Sequence, residues 1–471
     1  VVTNEVNSGG VDLHLNLSAG GSRRAALGDA LRDAVRSGRL EPGTTLPSYR
    51  ALAQDLGIAR NTVAEIYGEL VSEGWLEARQ GSGTRVAHRA GTVSRPSASV
   101  VPAATRPKFD FRPGRPDPAS FPRTAWLTAA RRAVDRAPLD AFGPGDPHGR
   151  IELRRALADY LARTRGVMTD TRHMIICSGF SQAAQILTEC TVAAPFALES
   201  YGLPFHRAIF GGAGPTAAVP VDQKGCMTDT LDSVAARTLV LTPSHQFPTG
   251  ASLHPQRRTA AIEWARRRDG LIVEDDYDGE FRYDRTPVGA LQSLDPDRVL
   301  YVGSVSKSLS PGIRVGWMAV PEFLLDTILA AKGEREATVG VVDQLALAEL
   351  IVSGAYDRHV RAMRTKYRRR RDELVRAVEQ RAPHVGAMGI SAGLQAVLTL
   401  PPGTVNTVLR ASSDIGLALE SLEMFRHPGT GDASPDAVLV GFSAPSERSY
   451  PYAVDALVSI LALTAPDRRT A

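Results

Sequence analysis

Residues 301–320 read "YVGSVSKSLSPGIRVGWMAV". An extended apolar run enters a Ser/Gly-rich turn, and a second apolar run follows it. The spacing predicts two buried strands whose connecting turn carries Lys307, with Arg314 seven residues further on. Lys307 is one of five lysines, whereas lysine and arginine together number 55. This chain meets its need for positive charge with arginine, so a lysine at a strand end marks a place that needs a primary amine. Such an amine can form a Schiff base with an aldehyde.

At 471 residues the chain exceeds one ordinary core, and two or three domains are expected. It is 43% apolar and 23% charged, without an apolar run long enough to span a bilayer, so no membrane partner is expected. The opening "VVTNEVNSGGVDLHLNLSAGG" has neither the basic nor the apolar region of a secretory signal. Cys177, Cys190 and Cys226 are odd in number and lack metal-ligand spacing; buried or free thiols in a reducing cytoplasm are expected. The formal charge of +4 permits nucleic-acid binding without demanding it.

Composition shifts at "HRAGTVSRPSASVVPAATRPK", residues 88–108, which reads as a linker between a unit at 10–87 and a larger one at 109–471. In the larger unit helical patterns alternate with short apolar runs. "RHMIICSG", "TLVLTPS", "GLIVEDD" and "RVLYVGS" each end in polar or Gly residues. That alternation predicts an α/β domain with a mostly parallel sheet, whose ligands sit at the carboxyl ends of the strands.

Residues 46–87 have the form of a helix-turn-helix with a wing. Ser48 can cap a helix bearing Leu52, Ala53 and Leu56, and Gly57 ends it. Ala59 to Glu73 supply a second helix with Val63, Ile66, Tyr67 and Leu70 at helical spacing. Its first turn offers Arg60, Asn61 and Thr62, residue types that reach base edges and phosphates in a major groove. "WLEARQGSGTRV" predicts a hairpin whose tip, Gly81, Ser82 and Gly83, suits a minor groove. Ser48, Arg50 and Tyr67 complete the expected DNA-facing set. Residues 20–90 hold ten basic against eight acidic side chains, so net charge alone leaves a protein-contact domain open. The string from Gly43 to Val86 resembles the winged helix of GntR-type bacterial regulators nearly end to end, which implies a double-stranded DNA operator as partner.

In the larger unit, four elements are those a pyridoxal 5'-phosphate site requires. Lys307 would bind the cofactor aldehyde. Asp275 would keep the pyridine nitrogen protonated, and Tyr277 would reach the ring 3-oxygen. Gly179, Phe180, Ser181 and Gln182 begin a helix whose free N–H groups suit a phosphate, and Arg314 adds a cation. Ser304 and Ser306 flank the lysine. Each piece also has an ordinary reading, as a surface loop, a helix cap or a chance Ser-Lys-Ser.

Together, and in this order, residues 109 to about 460 resemble the fold-type I aminotransferases. "FDFRPGRPDPASFPRTAW", "GPGDPHGRIELRRALADYLARTRGV" and "TPSHQFPTG" extend the likeness. A GntR-type winged helix, a linker and an aminotransferase-like domain in one chain resemble the MocR/GabR family of bacterial transcription regulators. The resemblance implies a cytoplasmic homodimer that senses a small amino-acid- or amine-like effector, with Arg207 placed for an effector carboxylate. This chain departs from the pattern at Leu203, where the family usually has an aromatic on the cofactor ring. It departs again at Leu439, which stands where true aminotransferases carry an arginine for the substrate carboxylate. The cofactor anchors are kept and the substrate anchors loosened, which favours a sensor. A working aminotransferase with a DNA-binding appendage remains the alternative, and a regulator of this fold without the cofactor is a third reading. Residues 357–376 hold nine basic against three acidic side chains, either a solvated helix face or a second DNA surface.

Overall fold

The computed structural model describes residues 23–79, 83–88, 107–190, 193–283, 288–333, 339–389, 392–431 and 433–465. They fall into two compact units that divide between Thr105 and Arg106. Most of the expected linker, and Gly81 and Ser82 of the hairpin tip, lie outside the described residues.

In the first unit three helices, α1 (Arg23–Arg36), α2 (Tyr49–Leu56) and α3 (Arg60–Ser72), precede strands β1 (Leu76–Arg79) and β2 (Gly83–Val86). The Ser48 hydroxyl accepts from the Ala51 N–H and caps α2, while Gly57 ends it at a left-handed φ of 63°. Leu52, Val63, Ile66, Tyr67 and Leu70 form the core with Leu27 and Leu31 of α1, a helix that closes the unit from upstream of the motif. The two strands pair antiparallel from Leu76↔Val86 to Arg79↔Gly83.

The second unit is built on a seven-stranded sheet. Its strands are β3 (Met174–Cys177), β4 (Phe196–Glu199), β5 (Ala217–Val219), β6 (Thr238–Leu241), β7 (Leu271–Asp275), β8 (Val299–Ser304) and β9 (Gly316–Ala319). The spatial order is β3-β9-β8-β7-β6-β4-β5. Neighbours from β8 through β5 run parallel, and β9 runs antiparallel to both β8 and β3. All four predicted strands are present, with burial on both faces as a covered parallel sheet requires. A smaller antiparallel sheet follows, of β10 (Gly386–Met388), β11 (Ala396–Thr399), β12 (Glu420–Ser421) and β13 (Ala437–Val440), in the order β10-β11-β13-β12. Among the described residues no helix is long and apolar enough to cross a membrane. All three cysteines are buried free thiols.

The basic stretch forms the middle of a long helix, Ala355–Arg381. Several of its cations serve packing. Arg370 is fully buried and donates to the carbonyls of Ser443 and Pro445, and Lys366 donates to Asp117 and Ser120.

Close backbone contact fixes where the sheet meets the following helix. At Gly316, the first residue of β9, a Cβ would lie 2.6 Å from the Cα of Gly179 and 2.9 Å from its nitrogen. Both obstacles are backbone, so nothing flexible can give way. Gly316→Ala is therefore expected to lower stability by about 1–3 kcal/mol, measured by urea denaturation.

Candidate functional site

The carboxyl ends of four parallel strands open into one cavity of about 560 Å³. Glu199 ends β4, Thr242 follows β6, Asp275 ends β7 and Ser304 ends β8, and all four line it. Lys307, Ser306 and Arg314 enter from the turn between β8 and β9, and Gly179, Phe180 and Ser181 from the loop after β3. Tyr277 lines the same space, as does Arg207 from the helix Pro204–Gly212.

Gln182 is a correction. It does not line the cavity; its side-chain carbonyl accepts from the Ser178 N–H at 2.7 Å, and its own N–H donates to Gly179 O. The loop itself remains suited to an anion. Gly179 caps the helix Phe180–Glu189 at φ 114°, a conformation that side-chain-bearing residues rarely take, and no side chain caps it.

The Lys307 amine donates to Gly114 O at 2.6 Å. Gly114 has φ +70°, and a Cβ there would lie 3.0 Å from that amine. Burial lowers the Lys307 pKa, against the opposing field of Asp275. Burial likewise holds the Asp275 carboxyl well above the carboxylate range, with Asp276 adding to the effect and Lys307 opposing it. Burial thus disfavours the charged form of each group, while the field of each favours the charge of the other. Arg314 takes a left-handed φ of 55° and makes no hydrogen bond or ion pair among the described residues.

Tyr277 is held from behind. Its hydroxyl lies 3.0 Å from His245 Nδ1 and accepts from Gln395 Nε2 at 3.2 Å, while His245 Nδ1 lies 2.8 Å from Asp278. Phe247 crosses its ring edge-on at 5.8 Å. His206, unforeseen in the sequence, packs its ring against Phe180 and lies 3.3 Å from the Ser181 hydroxyl. Burial, with Lys307 beside it, depresses its pKa to about 3, so it is a neutral ring at physiological pH. Leu203 lines the cavity, whereas Leu439 is wholly buried in an apolar cluster with Phe247, Leu422 and Phe425.

The first unit sorts its charges. Arg24 of α1 pairs with Glu65 and Glu69 of α3, and Arg32 with Glu73. Arg50, Arg60 and Arg85 are exposed and make no ion pair among the described residues, and Asn61 is exposed beside Arg60. Thr62 is half-buried, and Gly83 is exposed at the start of β2. Tyr67 is a second correction. It is 1% exposed, and its hydroxyl donates to Pro47 O at 3.2 Å, so it supports α3 from the core and presents nothing to DNA.

The two units define a class: residues 23–86 match the family of bacterial regulatory proteins called gntR, and residues 114–433 match aminotransferase class I and II. The chain belongs to the helix-turn-helix transcriptional regulators that carry an aminotransferase-like domain. It is 32% identical to PdxR, a pyridoxine biosynthesis transcriptional regulator of Corynebacterium glutamicum, over 89% of this chain and 92% of that one. It is also 32% identical to the probable rhizopine catabolism regulatory protein MocR of Rhizobium meliloti, over 74% and 75%. The kynurenine aminotransferase of Pyrococcus horikoshii shares the fold of the second unit, at a TM-score of 0.69 and 23% identity over 77% of this chain and 92% of that chain. The protein is thus a transcriptional regulator built on an aminotransferase-like fold.

One carboxyl in the cavity titrates in the physiological range. Burial pushes Glu199 up to about 7, against hydrogen bonds from Thr242 and Gln246. A raised acid pKa means that the folded state holds the proton more tightly. The charged form penalises folding, so stability falls as pH rises from about 4.5 to 7 and is level above that. Glu199→Gln is expected to flatten this fall by up to about 1.4 kcal/mol per pH unit. Urea denaturation between about pH 5 and 7 checks it, with Glu274 and Glu280, pushed up likewise, keeping their own share.

Proposed function

We propose that the regulator holds pyridoxal 5'-phosphate in this cavity, senses an amino-acid- or amine-like effector there, and acts on an operator as a cytoplasmic homodimer. The observation that carries the reading is the convergence of Lys307, Asp275, Tyr277 and Arg314 with the start of the helix Phe180–Glu189 on one cavity. The donor set fits the group. Arg314 is an uncommitted cation, Gly179 leaves the helix start open to an anion, and Gly114 makes room for the lysine amine.

When bound, the cofactor supplies an aldehyde carbon and an electron-withdrawing ring. Lys307 is the amine that holds that carbon. Burial lowers its proton affinity, which keeps the lone pair available. Asp275 would meet the ring nitrogen and favour its protonated form. Tyr277, steadied by His245 and Gln395, would offer its hydroxyl to the ring 3-oxygen. Arg314 and the N–H groups at Phe180 and Ser181 hold the phosphate, with Ser304 and Ser306 beside the lysine. Arg207, whose guanidinium donates only to Phe425 O among the described residues, at 3.3 Å, would hold the effector's acid group.

Leu439 supports sensing over turnover, because its place in the apolar core leaves no guanidinium there to align a substrate for proton removal. A bound effector then shifts the regulator between states that differ in their affinity for it. Exposed apolar residues such as Leu127 and Leu139 support a homodimer. Ser48, Arg50, Arg60, Asn61, Thr62 and the wing glycines Gly81, Ser82 (the intervening serine) and Gly83 form the proposed DNA face.

Incubating the full chain with pyridoxal 5'-phosphate is expected to produce a visible absorption band that Lys307→Ala abolishes while the far-ultraviolet dichroism stays unchanged. An unchanged band in the variant would exclude Lys307.

Arg60→Ala is expected to weaken specific operator binding by about 1–3 kcal/mol without altering that band. Titration of cognate and random duplexes at fixed salt checks it, and an equal loss on both makes Arg60 a phosphate contact.

A further inference from the structure

Among the described residues, Glu199 on the cavity wall is held by hydrogen bonds from Thr242 and Gln246, and two further charged side chains there remain without an opposite charge once the residues above are assigned. One is Arg207. The other is Glu420, on β12, which lines the cavity half-buried and has neither a hydrogen bond nor an ion pair among the described residues. It sits directly across the strand pair from Leu439, so the two side chains share a face of the small sheet. Glu420 on the cavity wall is therefore the cross-strand neighbour of the buried leucine that stands where true aminotransferases carry an arginine.

Neighbouring cations do not close on Glu420. Arg112 and Arg115 lie near enough for their fields to be felt, but Asp110 holds both: Arg112 through two bonds of 2.8 and 2.7 Å, and Arg115 at 3.3 Å. Burial raises the Glu420 pKa against those fields, so the charged form there lacks the partner that a ligand cation would provide. The same cavity wall also carries the apolar side chains of Leu203, Met424 and Phe425. Glu420 and Arg207 also converge on one segment. Arg207 donates to Phe425 O, and the turn Leu422–Phe425 follows β12 directly.

We propose that the effector is a diamino carboxylate: one amine reaches Lys307, the carboxylate pairs with Arg207, and a second, cationic nitrogen pairs with Glu420. The proposal rests on the reading of this cavity as the cofactor and effector site and adds the chemical class of the effector. Glu420 is its specificity-determining residue. It selects a basic side chain over a neutral or acidic one by supplying a partly desolvated carboxylate, the arrangement in which a charge-assisted hydrogen bond is strong.

The test titrates the full chain, loaded with pyridoxal 5'-phosphate, with lysine, ornithine, norleucine, glutamate and 1,5-diaminopentane. Binding is read by calorimetry and by displacement of the visible band. Lysine or ornithine is expected to bind at least about tenfold tighter than norleucine. Glutamate should bind weakest, and the diamine without a carboxylate should bind more weakly than lysine. In Glu420→Gln, close to isosteric, the ratio of lysine to norleucine affinity is expected to fall towards one. A wild-type protein that prefers norleucine or glutamate overturns the proposal without reference to any variant, and so does an undiminished ratio in Glu420→Gln. A normal visible band without a preference for basic ligands removes this inference alone. Absence of the band removes the cofactor reading and this inference with it.

Discussion

The buried ion pair between Arg165 and Asp276 fixes the geometry on which the site depends. Arg165 reaches the Asp276 carboxylate through two contacts of 2.6 and 3.0 Å and also donates to Ser244, while the Tyr301 hydroxyl donates to the same carboxylate. Side chains alternate in direction along β7, which ends at Asp275, and hydrogen bonds carry the same division on through the bend that follows. Along residues 274–278 the even members point to anchors: Glu274 accepts from the N–H groups of Leu291 and Gln292, Asp276 from Arg165, and Asp278 meets His245. The odd members, Asp275 and Tyr277, are thereby presented to the cavity. Loss of one partner from such a pair strands a buried charge, which costs about 3–5 kcal/mol. The acidic run "EDDYD" is three tethers with two cavity-facing side chains between them.

In the N-terminal unit the same economy of position operates on the surface. Near-balance of acids and bases reads as weak affinity for a polyanion when it is summed. The helices separate the two signs instead. Glu65, Glu69 and Glu73 turn towards α1 and are neutralised by Arg24 and Arg32, while Arg50 at the start of α2 and Arg60 at the start of α3 are exposed and make no ion pair among the described residues. A phosphate backbone responds to the local field, so the arrangement counts and the total does not.

What was legible in the sequence was whatever is local. Apolar runs ending in polar residues mark β3, β6, β7 and β8, because a strand buried on both faces must be apolar until it emerges at the ligand. The winged helix is legible for the same reason: Ser48, Gly57 and the Val63–Leu70 spacing act within a few residues of one another. Tyr67 and Gln182 went astray because a residue's neighbourhood along the chain does not say which way its side chain turns; one packs inward and the other closes its own helix cap. Glu420 and His206 left no local signal. Glu420 joins the cavity through a two-residue strand whose pairing with β13 is a tertiary fact, and His206 becomes part of the wall only when its helix packs beside Phe180. The serine-glycine turn could point to Lys307 because amine, strand end and Arg314 share one stretch of chain.

The scarcity of lysine has a consequence for any aldehyde that meets this protein. Carbonyl compounds form reversible adducts with unprotonated amines wherever they find them, and a lysine-rich surface would scatter such a ligand over many sites. Here Lys332 is buried against Pro147 O and Lys366 is tied to Asp117 and Ser120, leaving Lys108 and Lys224 as the exposed side-chain amines among the described residues. Arginine covers the rest of the surface with a cation that cannot condense. Background adducts are therefore few, so reductive trapping of an aldehyde would read out the Lys307 cavity against little competition. A composition rich in arginine and poor in lysine leaves few other side-chain amines to condense.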